Sequence, residues 1–502
     1  MRIICLRGEH GVAKRFHGEA AKLDSICGER GVAKQLHSEA ATVALKCGER
    51  GVAKQLHSEA ATVREKRVSM MIRMLNCAWL FAVAAVTAGA GFGAEATDAS
   101  KTVVVVSSDN PKISGQLFHP KICPNLVNYV AFVRQIRDNR QIWLYDAKTK
   151  ELTQVSPRAA TSKIEDVNID EDTDQSIFKG YEDELEWCPV LHDGIQYYVY
   201  VSAGGVNNHD VYIGSIGGKQ HTRLTFDPEV DGTPRWSPDG KSLTFVSART
   251  GDGDLYLVAD ITKYLGKDIK REAKGAFERL TTNPGEEMFP SYSPDGRFLA
   301  YTTRTSGNKK RGLYTIALMD FKDEKKIKIF NNQITNNKSH PSWSFDGHFV
   351  AYQISNDLND RVVDIGVMQL KVDPQGHLVE VADLHGKTPK IAENVYPSSY
   401  TGPTWLPGSR AIVYAKRESS RLNPLEVVNL EKWLYDQNYT RATITTQSNI
   451  HRDVDCLPNH PIIVFAGQSG LEFQIFASVL IGADLRLGAE KVDVAKYDLF
   501  KN

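Results

Sequence analysis

The sequence predicts an all-β fold, a β-propeller of seven (or six) four-stranded antiparallel blades, and three observations predict it. The first is TPRWSPDGKSLTFV at residues 233–246, which returns in altered form as FPSYSPDGRFLAYT from Phe289 and HPSWSFDGHFVAYQ from His340. The second is a four-strand order that recurs around seven turn positions, Pro124, Pro189, Pro238, Pro294, Phe345, Pro407 and Pro458. Their spacings run from 49 residues (189 to 238) to 65 (124 to 189), room for four strands and variable loops. The third is a Val-rich strand at 102–106 that belongs to no unit and is placed to complete the last blade.

Each unit has a physical rationale. Its first strand ends in an aromatic and Ser and runs into Pro-Asp-Gly. Pro presets φ, Asp hydrogen-bonds its own turn, and Gly takes the position with φ > 0. The second strand then alternates apolar and polar residues, at 129–133, 197–201, 243–246, 298–301, 349–352, 411–414 and 462–465. A third strand follows at 141–145, 210–213, 254–257 and 312–316. A fourth ends in Leu-Thr or Ile-Thr, at Leu152-Thr153, Leu224-Thr225, Leu280-Thr281 and Ile334-Thr335. A hairpin with one apolar face cannot bury it alone, so copies must stack. Radial stacking leaves only short edges.

The first 96 residues follow other rules. GERGVAKQLHSEAATV at 28–43 repeats letter for letter at 48–63, and a looser copy starts at Gly8. A period of 20 residues turns an α-helical face by about 200° per repeat, so the copies share no stripe. Residues 1–69 therefore read as a duplicated extension outside the mature protein. Residues 70–96 have the layout of a signal peptide: a charged start at Met70-Met71-Ile72-Arg73, an apolar run at 77–90, and Ala94-Glu95-Ala96 before the cut. The run is too short for a comfortable membrane span. Residues 97–502 are then the mature propeller, expected to be secreted or periplasmic, monomeric and without a stable membrane span.

The repeats RLTFDPEVDGTPRWSPDGKSLTFVS and RLTTNPGEEMFPSYSPDGRFLAYTT resemble the WD-repeat-like propeller repeats of the TolB family, over roughly Phe118 to Ala477. Two units depart from the pattern: Trp405-Leu406-Pro407-Gly408 lacks the Asp, and Cys456-Leu457-Pro458-Asn459 lacks the Gly. The resemblance implies a periplasmic, protein-binding propeller. TolB itself carries an α/β domain before the propeller, and residues 97–117 leave no room for one, so the Tol–Pal role does not carry over.

Lys+Arg and Asp+Glu are both 61, which argues against a nucleic-acid partner. The basic clusters at 309–311 and 322–328 read as solvated hairpin tips. Cys123, Cys188 and Cys456 remain after cleavage, an odd number, and read as free, partly buried thiols. The residue five before each turn position falls near the start of an innermost strand: His119, Glu184, Thr233, Phe289, His340, Gly402 and Asp453. His119, Glu184, His340 and Asp453 are thus candidate ligand-binding residues at the channel mouth. His119 and His340 are candidate ligands for a divalent metal such as Mn or Zn.

The acidic stretch 165–174 fails as an EF-hand: Glu171 stands where Gly is needed and Ile177 where the closing carboxylate belongs. Gly467-Gln468-Ser469-Gly470 is a turn rather than a Gly-x-Ser-x-Gly elbow, so a peptidase is not expected. The expected function is non-catalytic binding of a protein or cell-envelope ligand, without a cofactor. The alternative is a metal-dependent polysaccharide lyase or hydrolase resembling oligogalacturonate lyase.

Overall fold

The computed structural model describes residues 102–480 except 111, 138, 156–181, 204–208, 219–220, 273–274, 305–312, 330–335, 357–359, 373–377, 384–389, 398–401, 420–421, 431–439, 445 and 461. The extension, the signal-peptide segment, the acidic stretch and the cluster at 309–311 lie outside the described residues.

Seven antiparallel sheets follow one another, so the blade number is seven. Blade 1 is β2 (Gln116–Ile122), β3 (Tyr129–Ile136), β4 (Asn139–Asp146) and β5 (Glu151–Gln154). Blade 2 is β6 (Glu182–Trp187), β7 (Tyr197–Ser202), β8 (Asp210–Ser215) and β9 (Thr222–Arg223). Blade 3 is β10 (Asp231–Trp236), β11 (Leu243–Ser247), β12 (Asp254–Val258) and β13 (Glu278–Arg279). Blade 4 is β14 (Glu287–Tyr292), β15 (Phe298–Arg304), β16 (Tyr314–Asp320) and β17 (Lys326–Ile329). Blade 5 is β18 (Asn337–Trp343), β19 (Phe349–Ser355), β20 (Val363–Val372), β21 (Leu378–Asp383) and β22 (Lys390–Val395). Blade 6 is β23 (Thr404–Trp405), β24 (Ala411–Ala415), β25 (Leu425–Asn429) and β26 (Thr440–Ile444). Blade 7 is β27 (His451–Cys456), β28 (Ile462–Ser469) and β29 (Glu472–Val479). Its outermost strand is β1 (Thr102–Val106), paired with β29, so the Val-rich strand closes the ring as expected.

Blade 5 departs from the four-strand rule. Its ten-residue third strand pairs with β21 along one half and β22 along the other. The basic run at 322–328 is only half a tip, since Lys326 to Lys328 lie on β17.

The turn chemistry is visible in three copies. The Ser237 hydroxyl donates to Asp239 (2.5 Å) and accepts the Ser242 N–H (2.9 Å), and Gly240 has φ 67°. Ser293 and Ser344 do the same in blades 4 and 5. In blades 2 and 3 the Thr of the Leu-Thr pair ties the fourth strand to the third: Thr225 and Thr281 accept the N–H of Val211 and Leu255.

The core is not one body but a set of layers, one between each pair of neighbouring blades. This is what hairpins unable to bury themselves require. One register position of the second strand carries a buried aromatic in every blade: Phe132, Tyr200, Phe245, Tyr301, Tyr352, Tyr414 and Phe465. The aromatic that precedes the turn serves as a clamp. Indole N–H groups of Trp187, Trp236, Trp343 and Trp405 donate to carbonyls on the preceding blade, at Lys121, Glu186, Ser291 and Ser342 (3.0–3.3 Å). Tyr292 bonds Thr244 across the same gap. At the closing junction, where Ile122 stands in that position, Asp455 of blade 7 accepts the Ile122 N–H and pairs with Lys121.

Candidate functional site

The counted ring positions are where the innermost strands bulge. Pairing with the second strand slips after Phe118, Asp183, Gly232, Met288, Ser339 and Arg452. The next residue is left-handed in each case: His119, Glu184, Thr233, Phe289, His340 and Asp453 have φ between 44° and 59°. They therefore sit mid-strand rather than near the start, because a bulge needs paired residues on both sides. Left-handed backbone costs a residue with a Cβ about 1–2 kcal/mol, recovered here through blade-to-blade bonds.

The seventh position, Gly402, is small for a different reason. A Cβ there would press into the His340 carbonyl oxygen and the Ser342 side chain. Gly402→Ala is expected to destabilise by about 1–3 kcal/mol, as overpacking does, read by urea denaturation. An unchanged midpoint would show that blades 5 and 6 are not in close contact at the ring.

His119, Glu184 and Asp453 line one cavity of about 40 Å³. His119 Nδ1 donates to Asp183 (2.8 Å), and its Nε2 lies 3.6 Å from Asp453. Asp183, fully buried, also accepts from Arg140 (2.5 Å) and from the Glu184 N–H (2.8 Å). Burial pushes the imidazole down, but Asp183 and Asp453 outweigh it and raise the His119 pKa to about 9. Burial pushes Asp183 up, yet His119 and Arg140 hold it below the usual carboxylate range. Burial and the Asp183 charge raise Glu184 to about 7. Glu184 accepts the N–H of Thr233, the next ring residue (2.5 Å), and Asp453 faces the N–H of His119 (3.5 Å).

His340 is placed elsewhere. Its ring stacks on Phe289 (centroids 3.6 Å apart), its Nδ1 bonds Ser339 (2.9 Å), and its N–H donates to Thr302. The two candidate histidines line different parts of the ring, and both nitrogens of His119 face carboxylates. Among the described residues no three His, Cys, Asp or Glu side chains converge as metal ligands. As arranged, His119 and His340 do not come together as a pair of ligands for the candidate divalent metal.

The cavity also holds groups that counting along the sequence missed: Asp183, Lys121, Glu186 and Arg235. Lys121 sits 3.3 Å from Asp455 and 3.9 Å from Glu186, and Arg235 3.7 Å from Glu186. Asp183 adjoins a counted position, so a search for acidic neighbours of the ring would have found it. The thiols of Cys123, Cys188 and Cys456 are free but more enclosed than expected, all three buried. Burial raises those of Cys123 and Cys188 to about 11.

No protein-family model matches the chain. An uncharacterized protein of Agrobacterium fabrum is 26% identical over 202 residues, 38% of this chain, which spans 60% of that protein's length. A TolB structure from Agrobacterium tumefaciens shares 19% identity over 58% of this chain and 86% of its own (TM-score 0.36). TolB from Acinetobacter baumannii shares 15% over 71% and 81% (TM-score 0.33). An oligogalacturonate lyase from Vibrio parahaemolyticus shares 13% over 76% and 94% (TM-score 0.47). The chain is a seven-bladed β-propeller.

Proposed function

We propose that the protein is a secreted or periplasmic binding propeller that holds a protein partner, or another cell-envelope ligand, on one face of its disc. One observation carries this reading. Every Pro-Asp-Gly turn joins a first strand to a second, so these turns share one face. The second-to-third turns and the links between blades share the other. Ile136 at the end of β3, and Leu422 and Leu471 in second-to-third turns, are exposed large apolar residues of three consecutive blades, 1, 6 and 7, and Leu471 is 91% exposed. Val230, in a link between blades, faces the same way and is also exposed. The turn face carries Leu191 and Ile195, both in blade 2, so exposed apolar groups are spread over more blades on the opposite face, as at an association surface.

The ring supports the same reading from the other side. Its ionisable groups bond neighbouring blades, the role of a scaffold. A periplasmic address is supported by the TolB-like repeats and the signal-peptide layout. Among the described residues no helix is long and apolar enough to cross a membrane.

A photo-crosslinking residue at Leu471 or Ile136 is expected to capture a partner in living cells, and one at Leu191, on the turn face, is not. Equal yields at both positions would defeat the assignment. The second reading, a lyase or hydrolase of acidic sugar polymers, is favoured only by His119, Glu184 and Asp453 sharing a cavity. A transition metal that co-purifies and is lost in His119→Ala would establish it over the first.

A further inference from the structure

The residues two before the left-handed ring positions face buried surroundings, and most have an answering group. Asp231 opposes Ser247 in the strand register and lies 3.3 Å from Arg249. Lys338 lies over the ring of Tyr352, 5.4 Å from its centroid. His451 contacts Asn423 and Thr446 through its two nitrogens (both 2.6 Å).

Glu287 of blade 4 is fully buried; the Thr303 hydroxyl donates to its Oε1 (2.9 Å), and the Thr281 hydroxyl of blade 3 is its other polar neighbour. Its Oε2 has no hydrogen-bond partner among the described residues, and neither has the hydroxyl of Tyr301. Tyr301, two residues before Thr303, shares that face of the sheet and packs with Leu255 and Leu280 of blade 3. The charged groups facing Glu287 are Asp254, across the junction on β12, and Arg279 on β13. Arg279 is bonded to Asp254 (2.8 Å). On its own strand side, Glu286 is taken by Arg304 (2.8 Å) and Tyr314. Two carboxyl groups thus meet one guanidinium between blades 3 and 4. Between blades 2 and 3, Asp210 and Asp231 meet two, Arg223 and Arg249.

We propose that Glu287 is held as the neutral acid in the folded protein at neutral pH, making the junction of blades 3 and 4 a pH-sensitive seam that loosens as the pH rises. An isolated carboxylate in such a place is costly, and a proton removes the charge without needing room. Burial, the leading cause, raises the Glu287 pKa from 4.5 to about 7. The folded state therefore binds the proton more tightly than the unfolded chain. Stability from this group is full below the unfolded pKa and falls as pH rises through the folded one. Between pH 5.5 and 8.5 its contribution to the folded-to-unfolded ratio drops about 30-fold.

The test compares the full chain and Glu287→Gln by urea denaturation at pH 5.5, 7.0 and 8.5. Across that range the folded-to-unfolded ratio of the wild type should fall about 30-fold more than that of the variant. Parallel profiles for wild type and Glu287→Gln would overturn the proposal. So would recovery of the wild type at pH 8.5 on adding sodium, potassium or calcium chloride, because a cation would then fill the place. Should Glu287→Gln fail to fold, hydrogen exchange of the wild type decides. Amides of Leu255 and Thr303 should lose protection above pH 7, after correction for intrinsic rates, before those of Val211 and Ser247. Uniform loss would overturn the seam.

Discussion

Asp183→Ala is expected to cost about 3–5 kcal/mol of folding stability, the range for removing one partner of a buried ion pair. The carboxylate accepts from His119, Arg140 and the Glu184 N–H within 2.5–2.8 Å. Its loss leaves two cationic side chains beside each other with one carboxylate fewer. The same change alters the pH profile. In the wild type the His119 pKa lies above its ordinary 6.5, at about 9. The imidazolium thus stabilises the fold fully below pH 6.5, and that contribution fades as pH rises through about 9. In Asp183→Ala the His119 titration should fall back by more than one unit. Urea denaturation and a histidine proton titration by NMR check both parts. A loss under 1 kcal/mol with an unmoved His119 would mean that the ring is not joined through these charges.

Trp405→Ala is expected to be comparably severe, about 3–5 kcal/mol for a truncated core tryptophan. The side chain is buried between blades 5 and 6 among Phe349, Ile391 and Tyr414, and its indole N–H holds the Ser342 carbonyl at 3.0 Å. Blade 6 has an innermost strand of only two residues, so this clamp replaces ladder bonds that other blades have. Trp405→Phe keeps most of the bulk and gives up the hydrogen bond, for about 1 kcal/mol. Denaturation of the two variants separates packing from bonding. Equal losses for Ala and Phe would assign the effect to the bond alone.

The fold was legible because its signals are local. Ser-Pro-Asp-Gly reports a turn, and the aromatic before it reports a clamp, whatever surrounds them. Even the offset that located the ring was sound, since His119, Glu184, Phe289 and Asp453 stand at equivalent bulges. Their left-handed backbone was not legible, because sequence marks that conformation by Gly or Asn, and here tertiary pairing imposes it on His, Glu, Thr and Phe. Nor was the grouping of side chains around the ring. Asp183 reaches His119 across a blade junction, while His340 turns to Phe289, and neither choice leaves a trace in spacing. The split fourth position of blade 5 was hidden for the same reason: which strands pair beside β20 is set in three dimensions.

The seventh blade is assembled from both ends of the described chain, and the Thr102 and Ser478 hydroxyls, 376 positions apart, bond at 3.2 Å. Contacts that distant are the slowest to form, since the loop between them must be closed before they reward it. A growing polypeptide that has emerged only as far as blade 6 has no partner for its opening Val-rich strand. Until blade 7 is made that strand is a bare edge, open to pairing with any neighbour. A holding factor that covers that edge until blade 7 arrives suits such an architecture better than folding stepwise behind the ribosome.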